Sequence, residues 1–170
     1  TKKYINILAK QPENHYSFES ALNLFARKEK VTAYIVKKKM LTLKYPWHLF
    51  DIKDYLIKNM ASFIHSTAEI HKTAVLEGKV YIDKGVKIGV NTVIKGPVYI
   101  GKNVFIGDFA LLRNGAVIEK NVSIGAYAEV KNTIVFEDTK LNGYVADSII
   151  GRGVHIAHGV VIANRRFDRE

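Results

Sequence analysis

The sequence contains no cysteine, which excludes a disulfide framework and any cysteine-based metal site and fits a reducing compartment. No apolar run approaches the roughly 20 residues that a membrane-spanning helix needs. The N-terminal residues also lack the apolar core of a signal peptide, so a cytoplasmic location is expected. Glycine is absent from the first part and concentrated in the second, all 12 glycines lying from Gly78 onward. A stretch without glycine cannot supply a Gly-rich loop that cradles phosphates. Acidic residues are outnumbered, 16 against 26 Lys and Arg, for a net charge of +10. That balance favours anionic partners such as phosphate, nucleotide or coenzyme A. The lysines are scattered along turns rather than gathered in a stripe with stacking aromatics, so no nucleic-acid partner is expected.

What the chain does have is a period of six. Ile64, Ile70, Leu76, Ile82, Ile88, Ile94, Ile100, Ile106, Leu112, Ile118, Ile124 and Val130 recur without a break. Two residues before each lies a smaller inward residue, as in Val80-Tyr81-Ile82 or Val104-Phe105-Ile106. An in–out–in triplet is the period-two pattern of a short strand. Glycines after the triplets supply turns that need positive φ. A hexapeptide repeat with these features predicts a parallel β-helix. Three hexads make one coil, so residues eighteen apart stack, Ile64 on Ile82, Ile100 and Ile118. The fold class is therefore mainly β, a hexapeptide-repeat β-helix over residues 61–170 with a small α/β appendage over residues 1–60.

Within the appendage, Ser17 reads as the cap of a helix with an apolar face of Phe18, Ala21, Leu22 and Phe25. Val31–Val36 and Met40–Leu43 read as two strands around a basic turn. Pro46 opens a second helix with Leu49, Ile52, Leu56 and Met60 on its buried side.

The segments Glu19–Phe25, Val31–Val36 and Leu43-Lys44-Tyr45-Pro46-Trp47-His48-Leu49 resemble the closing part of a sugar-1-phosphate nucleotidylyltransferase domain. Tyr144-Val145-Ala146-Asp147-Ser148 resembles a Tyr-x-Gly-Asp-Ser element, and Ala163-Asn164-Arg165-Arg166-Phe167-Asp168 an Ala-Asn-x-Arg-x-Asp element. Both elements occur in bifunctional UDP-N-acetylglucosamine pyrophosphorylase/acetyltransferases and their relatives. The resemblance implies a left-handed β-helix, a homotrimer, a role in nucleotide-sugar metabolism, acetyl-CoA as cofactor and a sugar phosphate or coenzyme A as ligand. Tyr144, Asn164, Arg165 and Arg166 become the ligand-binding candidates by matching positions of the family.

The sequence departs from the family in two respects. No Gly-rich nucleotide cradle precedes Ser17, so nucleotidyl transfer is not expected of these residues. The family also carries a histidine three residues before the motif tyrosine, suited to accept a proton from a sugar amine near neutral pH. Here that position is Leu141, which leaves the catalytic group unassigned. His155 and His158, on a late coil, are the substitute candidates. Tyr144 falls six residues before Ile150, which reads as an inward structural position. His65, His71 and Glu69 lie close in sequence but are too few for a metal site, and none is expected.

The outward residues form three columns: Tyr81, Tyr99, Val117, Val135; Val75, Val93, Leu111, Glu129; and Glu69, Lys87, Phe105, Ser123. The first two are apolar enough to suggest a subunit interface. A non-catalytic trimerisation or regulatory scaffold is the alternative function.

Overall fold

The computed structural model describes residues 2–32, 34–37 and 40–164. The chain divides into two compact units, Thr1–Met40 and Leu41–Glu170. The first unit contains helix α1, Lys2–Leu8, and helix α2, Ser17–Ala26. Tyr4 of α1 meets Phe18 and Phe25 of α2 edge to face, with ring centroids 5.7 and 5.8 Å apart. Ala21 is fully enclosed. The sequence reading missed α1. It also placed Ser17 as a cap, whereas Ser17 is the first helical residue and its hydroxyl donates to the carbonyls of Pro12 and Asn14.

The expected strands at Val31–Val36 and Met40–Leu43 are not formed by the described residues there. Tyr34 and Ile35 are largely exposed. A two-stranded hairpin by itself is marginal in water, which accounts for the difference.

The second unit is a three-sided parallel β-helix of six coils. Face 1 stacks Phe63–Ile64, Val80–Ile82, Val98–Ile100, Val117–Ile118, Ile134–Val135 and Ile149–Ile150. Face 2 stacks Glu69–Ile70, Lys87–Ile88, Phe105–Ile106, Ser123–Ile124, Lys140–Leu141 and His155–Ile156. Face 3 stacks Val75–Glu77, Val93–Lys95, Leu111–Arg113, Glu129–Lys131, Tyr144–Ala146 and Val161–Ile162. The sixfold aliphatic set fills the interior: Ile82, Ile94, Ile100, Ile106, Leu112, Ile118 and Ile124 are completely enclosed. Each such side chain is worth about 1.5–3 kcal/mol by burial.

The register of eighteen holds from Phe63 to Tyr81, Tyr99 and Val117, then fails. Val117 pairs with Ile134 and Ile134 with Ile149, offsets of seventeen and fifteen. One residue is lost at the corner containing Asn132. Two more are lost at Asn142-Gly143, between Leu141 and Tyr144, and one at Asp147-Ser148, between Ala146 and Ile149. Because side chains alternate with period two, the one-residue deletions reassign the faces, whereas the two-residue deletion keeps the phase. Val135, expected outside, lies under Ile118 in the core, and Ile134 takes the outward place. Tyr144, expected inside, pairs with outward Glu129 while Val145 fills the core.

The corners are held by left-handed residues. Asn103, Asn121 and Asp138 all have positive φ, as short polar side chains tolerate. They link the coils: Asn103 Nδ2 donates to Asn121 Oδ1 at 3.3 Å, and Asn121 Nδ2 to Asp138 Oδ1 at 3.1 Å. The Asn121 amide and then the Arg152 guanidinium hold the Asp138 carboxyl below its usual range.

Helix α3, His48–Lys58, precedes the first coil and belongs to the same unit. Its buried residues are Lys53 and Ile57 rather than the expected Leu49, Ile52, Leu56 and Met60. Lys53 is enclosed because its Nζ donates to Asn132 Oδ1 at 2.7 Å and pairs with Asp54 at 2.6 Å. Lys79 Nζ donates to the Lys58 carbonyl at 3.1 Å, placing a cation at the negative end of the helix. The expected buried set instead lines a cavity of about 460 Å³ together with Tyr99, Val117, Ile134 and Phe136 of face 1. The Tyr81–Tyr99 column therefore lies on the face that α3 partly occupies, not on a bare one.

Glu119 opens onto this cavity, and burial followed by the Glu137 carboxylate raises its pKa from the ordinary 4.5. A raised carboxyl means that the folded chain holds its proton more tightly than the unfolded chain. Stability is thus favoured at and below the ordinary value and declines as pH rises through the raised one. Glu119→Gln removes the charge and keeps the shape. We expect a higher urea midpoint than wild type at pH 7, with the gain disappearing near pH 4; a gain equal at both pH values would contradict this assignment.

Candidate functional site

The corner between faces 2 and 3 carries a four-residue turn in successive coils: Gly89-Val90-Asn91-Thr92, Gly107-Asp108-Phe109-Ala110 and Gly125-Ala126-Tyr127-Ala128. In the fifth coil it shrinks to Asn142-Gly143, and in the sixth Ala157-His158-Gly159-Val160 restores it. The shortened turn leaves a notch of about 510 Å³. It is lined by Ala126 and Tyr127 on one side, by His158 to Val161 on the other, and by Asn142, Gly143 and Tyr144 at its base. This falls in the range typical of small-molecule sites.

Local chemistry makes the notch. The Asn142 side chain bridges adjacent coils, its Nδ2 donating to the Ile156 carbonyl at 3.3 Å. Gly143 is pressed against the next coil, where a Cβ would sit 2.3 Å from the Val160 carbonyl oxygen. Tyr144, outward in register with Glu129, presents a half-buried phenol and borders the notch with exposed His158.

Of the sequence candidates, Tyr144 and His158 are therefore brought together. His155 is exposed on face 2, paired in register with Lys140, and is not part of the notch lining. Leu141 is fully enclosed in the core, so the position equated with the family histidine faces inward. Asn164 is exposed and does not line the notch. Arg165 and Arg166 lie outside the described residues. His65 and His71 each engage a neighbouring threonine, Thr67 and Thr73, at 2.9 Å. Among the described residues, no group of three or more His, Cys, Asp or Glu could hold a metal ion. Among them, too, no helix is long and apolar enough to cross a membrane.

Sequence reasoning missed Phe109 and Tyr127. Their rings stack with centroids 5.0 Å apart and planes 1° from parallel. They lie eighteen residues apart, so extending the coil register from strands to turns would have found them.

A six-coil parallel β-helix built on hexads belongs to the class of hexapeptide-repeat proteins. Residues 94–167 match the family model of the GMPPB C-terminal domain. Across 98% of its length the chain is 30% identical to a bifunctional sugar-1-phosphate nucleotidylyltransferase/acetyltransferase of Sulfurisphaera tokodaii. It spans 42% of that relative, less than half. Among solved structures, a substituted form of perosamine N-acetyltransferase from Caulobacter crescentus, in complex with coenzyme A and GDP-perosamine, shares the fold. The TM-score is 0.56 at 15% identity, over 64% of this chain and 57% of that one. The chain is related to the C-terminal part of the sugar-1-phosphate nucleotidylyltransferase/acetyltransferase family.

The notch depends on Gly143. Gly143→Ala forces a methyl group against a backbone carbonyl that cannot rotate away, an overpacking worth about 1–3 kcal/mol. Chemical denaturation should show that loss, whereas Ala126→Ser on the exposed rim should leave the midpoint unchanged.

Proposed function

We propose that this chain is the β-helical module of a nucleotide-sugar metabolism protein, and that it binds a coenzyme A or sugar-phosphate ligand at the notch. The observation that carries this reading is the convergence of Tyr144 and His158 on one cavity in a chain related to acetyltransferases. The positive net charge of +10 suits an anionic ligand. The perosamine N-acetyltransferase structure supports the fold of such a module, and its coenzyme A supports the choice of ligand to test.

The chemistry of this chain is limited by its own residues. Leu141 has no proton to exchange and is sealed in the core. Loss of a general base removes about 10²–10⁴ in rate. We therefore assign binding without efficient acetyl transfer. Nucleotidyl transfer is not assigned to these residues, because the first 77 contain no glycine with which to cradle a triphosphate. If transfer does occur, His158 is the base, since it borders the notch and His155 does not.

Calorimetry with acetyl-coenzyme A should show saturable binding in the micromolar to millimolar range. A thiol-release assay with glucosamine 1-phosphate or galactosamine 1-phosphate should stay near background. Absence of both leaves the scaffold function, in which the β-helix serves assembly alone. Rapid acetylation abolished by His158→Ala would assign catalysis to the notch and overturn the limit set by Leu141.

Assembly as a homotrimer is part of the proposal. Face 3 offers an outward column with Val75 and Val161 43% and 69% exposed, while α3 engages face 1. Light scattering should return three times the chain mass of 19.2 kDa. A monomer at micromolar concentration would exclude the trimer, and Val93→Lys with Leu111→Lys should dissociate it.

A further inference from the structure

Among the described residues, nine other than glycine adopt positive φ. Seven are asparagine or aspartate, the side chains that tolerate this region best. The other two are Phe109 and Tyr127, at φ 58° and 60°. A bulky aromatic at positive φ is an outlier for which the surrounding structure must compensate. Yet both side chains are exposed, Tyr127 to 76%, so neither contributes a core that would offset the strain. Asn91 occupies the equivalent turn position one coil earlier, showing that the corner accepts the residue type that would relieve it.

The strain instead produces a platform. Phe109 and Tyr127 stack nearly parallel along the coil axis. The next place in that column belongs to the fifth coil, whose turn is two residues short and ends in Gly143. The aromatic ladder therefore has a gap of one coil, closed on its far side by the turn bearing His158 and Gly159. Successive coils are about 4.8 Å apart, so the gap spans about 9.6 Å between turns. A planar ring at its centre would lie about 4.8 Å from each side, at the lower end of aromatic stacking separations.

We propose that this slot holds the nucleobase of a nucleotide ligand, stacked on the free face of Tyr127. The inference deepens the coenzyme A reading and rests on the same notch, because coenzyme A carries an adenine. It differs in assigning affinity to the base rather than to the thiol arm or phosphates. Stacking tolerates any base, since each has a π-face. Tyr127 and Phe109 form a binding platform and take no part in proton transfer.

Tyr127→Asn separates ligand from fold. Asparagine suits positive φ, so the variant should unfold at the same or a higher denaturant midpoint than wild type. Calorimetry with AMP should show binding at least tenfold tighter than with ribose 5-phosphate, which has the phosphate and no base. Tyr127→Asn should weaken AMP about tenfold or more, as expected for loss of one stacked ring, and Tyr127→Phe should restore it. In wild type the AMP H2 and H8 resonances should shift upfield on binding, a readout that needs no variant.

AMP and ribose 5-phosphate binding alike, no AMP binding at all, or equal AMP affinity in Tyr127→Asn would each overturn the inference. Coenzyme A bound equally by wild type and Tyr127→Asn would refute the slot and leave the coenzyme A reading standing. AMP binding that is lost in Tyr127→Asn but is not displaced by coenzyme A would support the slot and refute that reading.

Discussion

Every coil of this β-helix is held by the coil on either side. Its backbone groups pair only in register with their neighbours, and its aliphatic side chains are enclosed only when the next layer covers them. No single coil could close this core. The same dependence makes the structure sensitive to length: one residue removed from a turn rotates all later side chains relative to the faces. The one-residue deletions at the Asn132 and Asp147-Ser148 corners are absorbed because each coincides with a change in which residue faces inward, Val135 and Ile150 taking core places in step with them.

The candidate site follows from that constraint. A corner two residues short cannot fill its layer, and a stack of otherwise regular coils leaves a cavity of definite height there. The sides are short turns closed between paired strands, so Tyr127 and His158 are positioned by the coils that flank them and Tyr144 by its own strand. A site formed by omission needs no inserted loop, which fits a chain of short strands and tight turns.

The α3 side shows a different balance. A buried ammonium at Lys53 is satisfied by Asn132 and Asp54. Asn132 in turn donates to Asp147 Oδ1 at 2.7 Å, joining the helix to the corner ladder. Among the described residues, partly buried Glu119 beside Glu137 has no hydrogen-bonded cation of that kind, and burial, then Glu137, shifts it toward its neutral form against a lesser pull from Lys120. Burying paired charge fixes the position of the helix; burying unpaired charge leaves a pH-dependent weakness next to it.

The hexad alone determined the β-helix, its inner ladders and the first four coils, because burial repeats every six residues whatever the turn contents. The terminal motifs indicated the relationship to the sugar-1-phosphate nucleotidylyltransferase/acetyltransferase family. They did not determine orientation: Tyr144 read as inward under a strict period and is outward, because a deletion elsewhere in the coil shifts the pleat. Nor could local sequence show that the Val31–Leu43 region lacks strands among its described residues, since strand formation depends on a partner. The Phe109–Tyr127 stack was available to the eighteen-residue register but invisible to hydropathy, which treats turns as solvent-exposed. Only the tertiary structure decided that these rings border a one-coil gap, because the gap arises from the stacking of coils and not from any residue beside them.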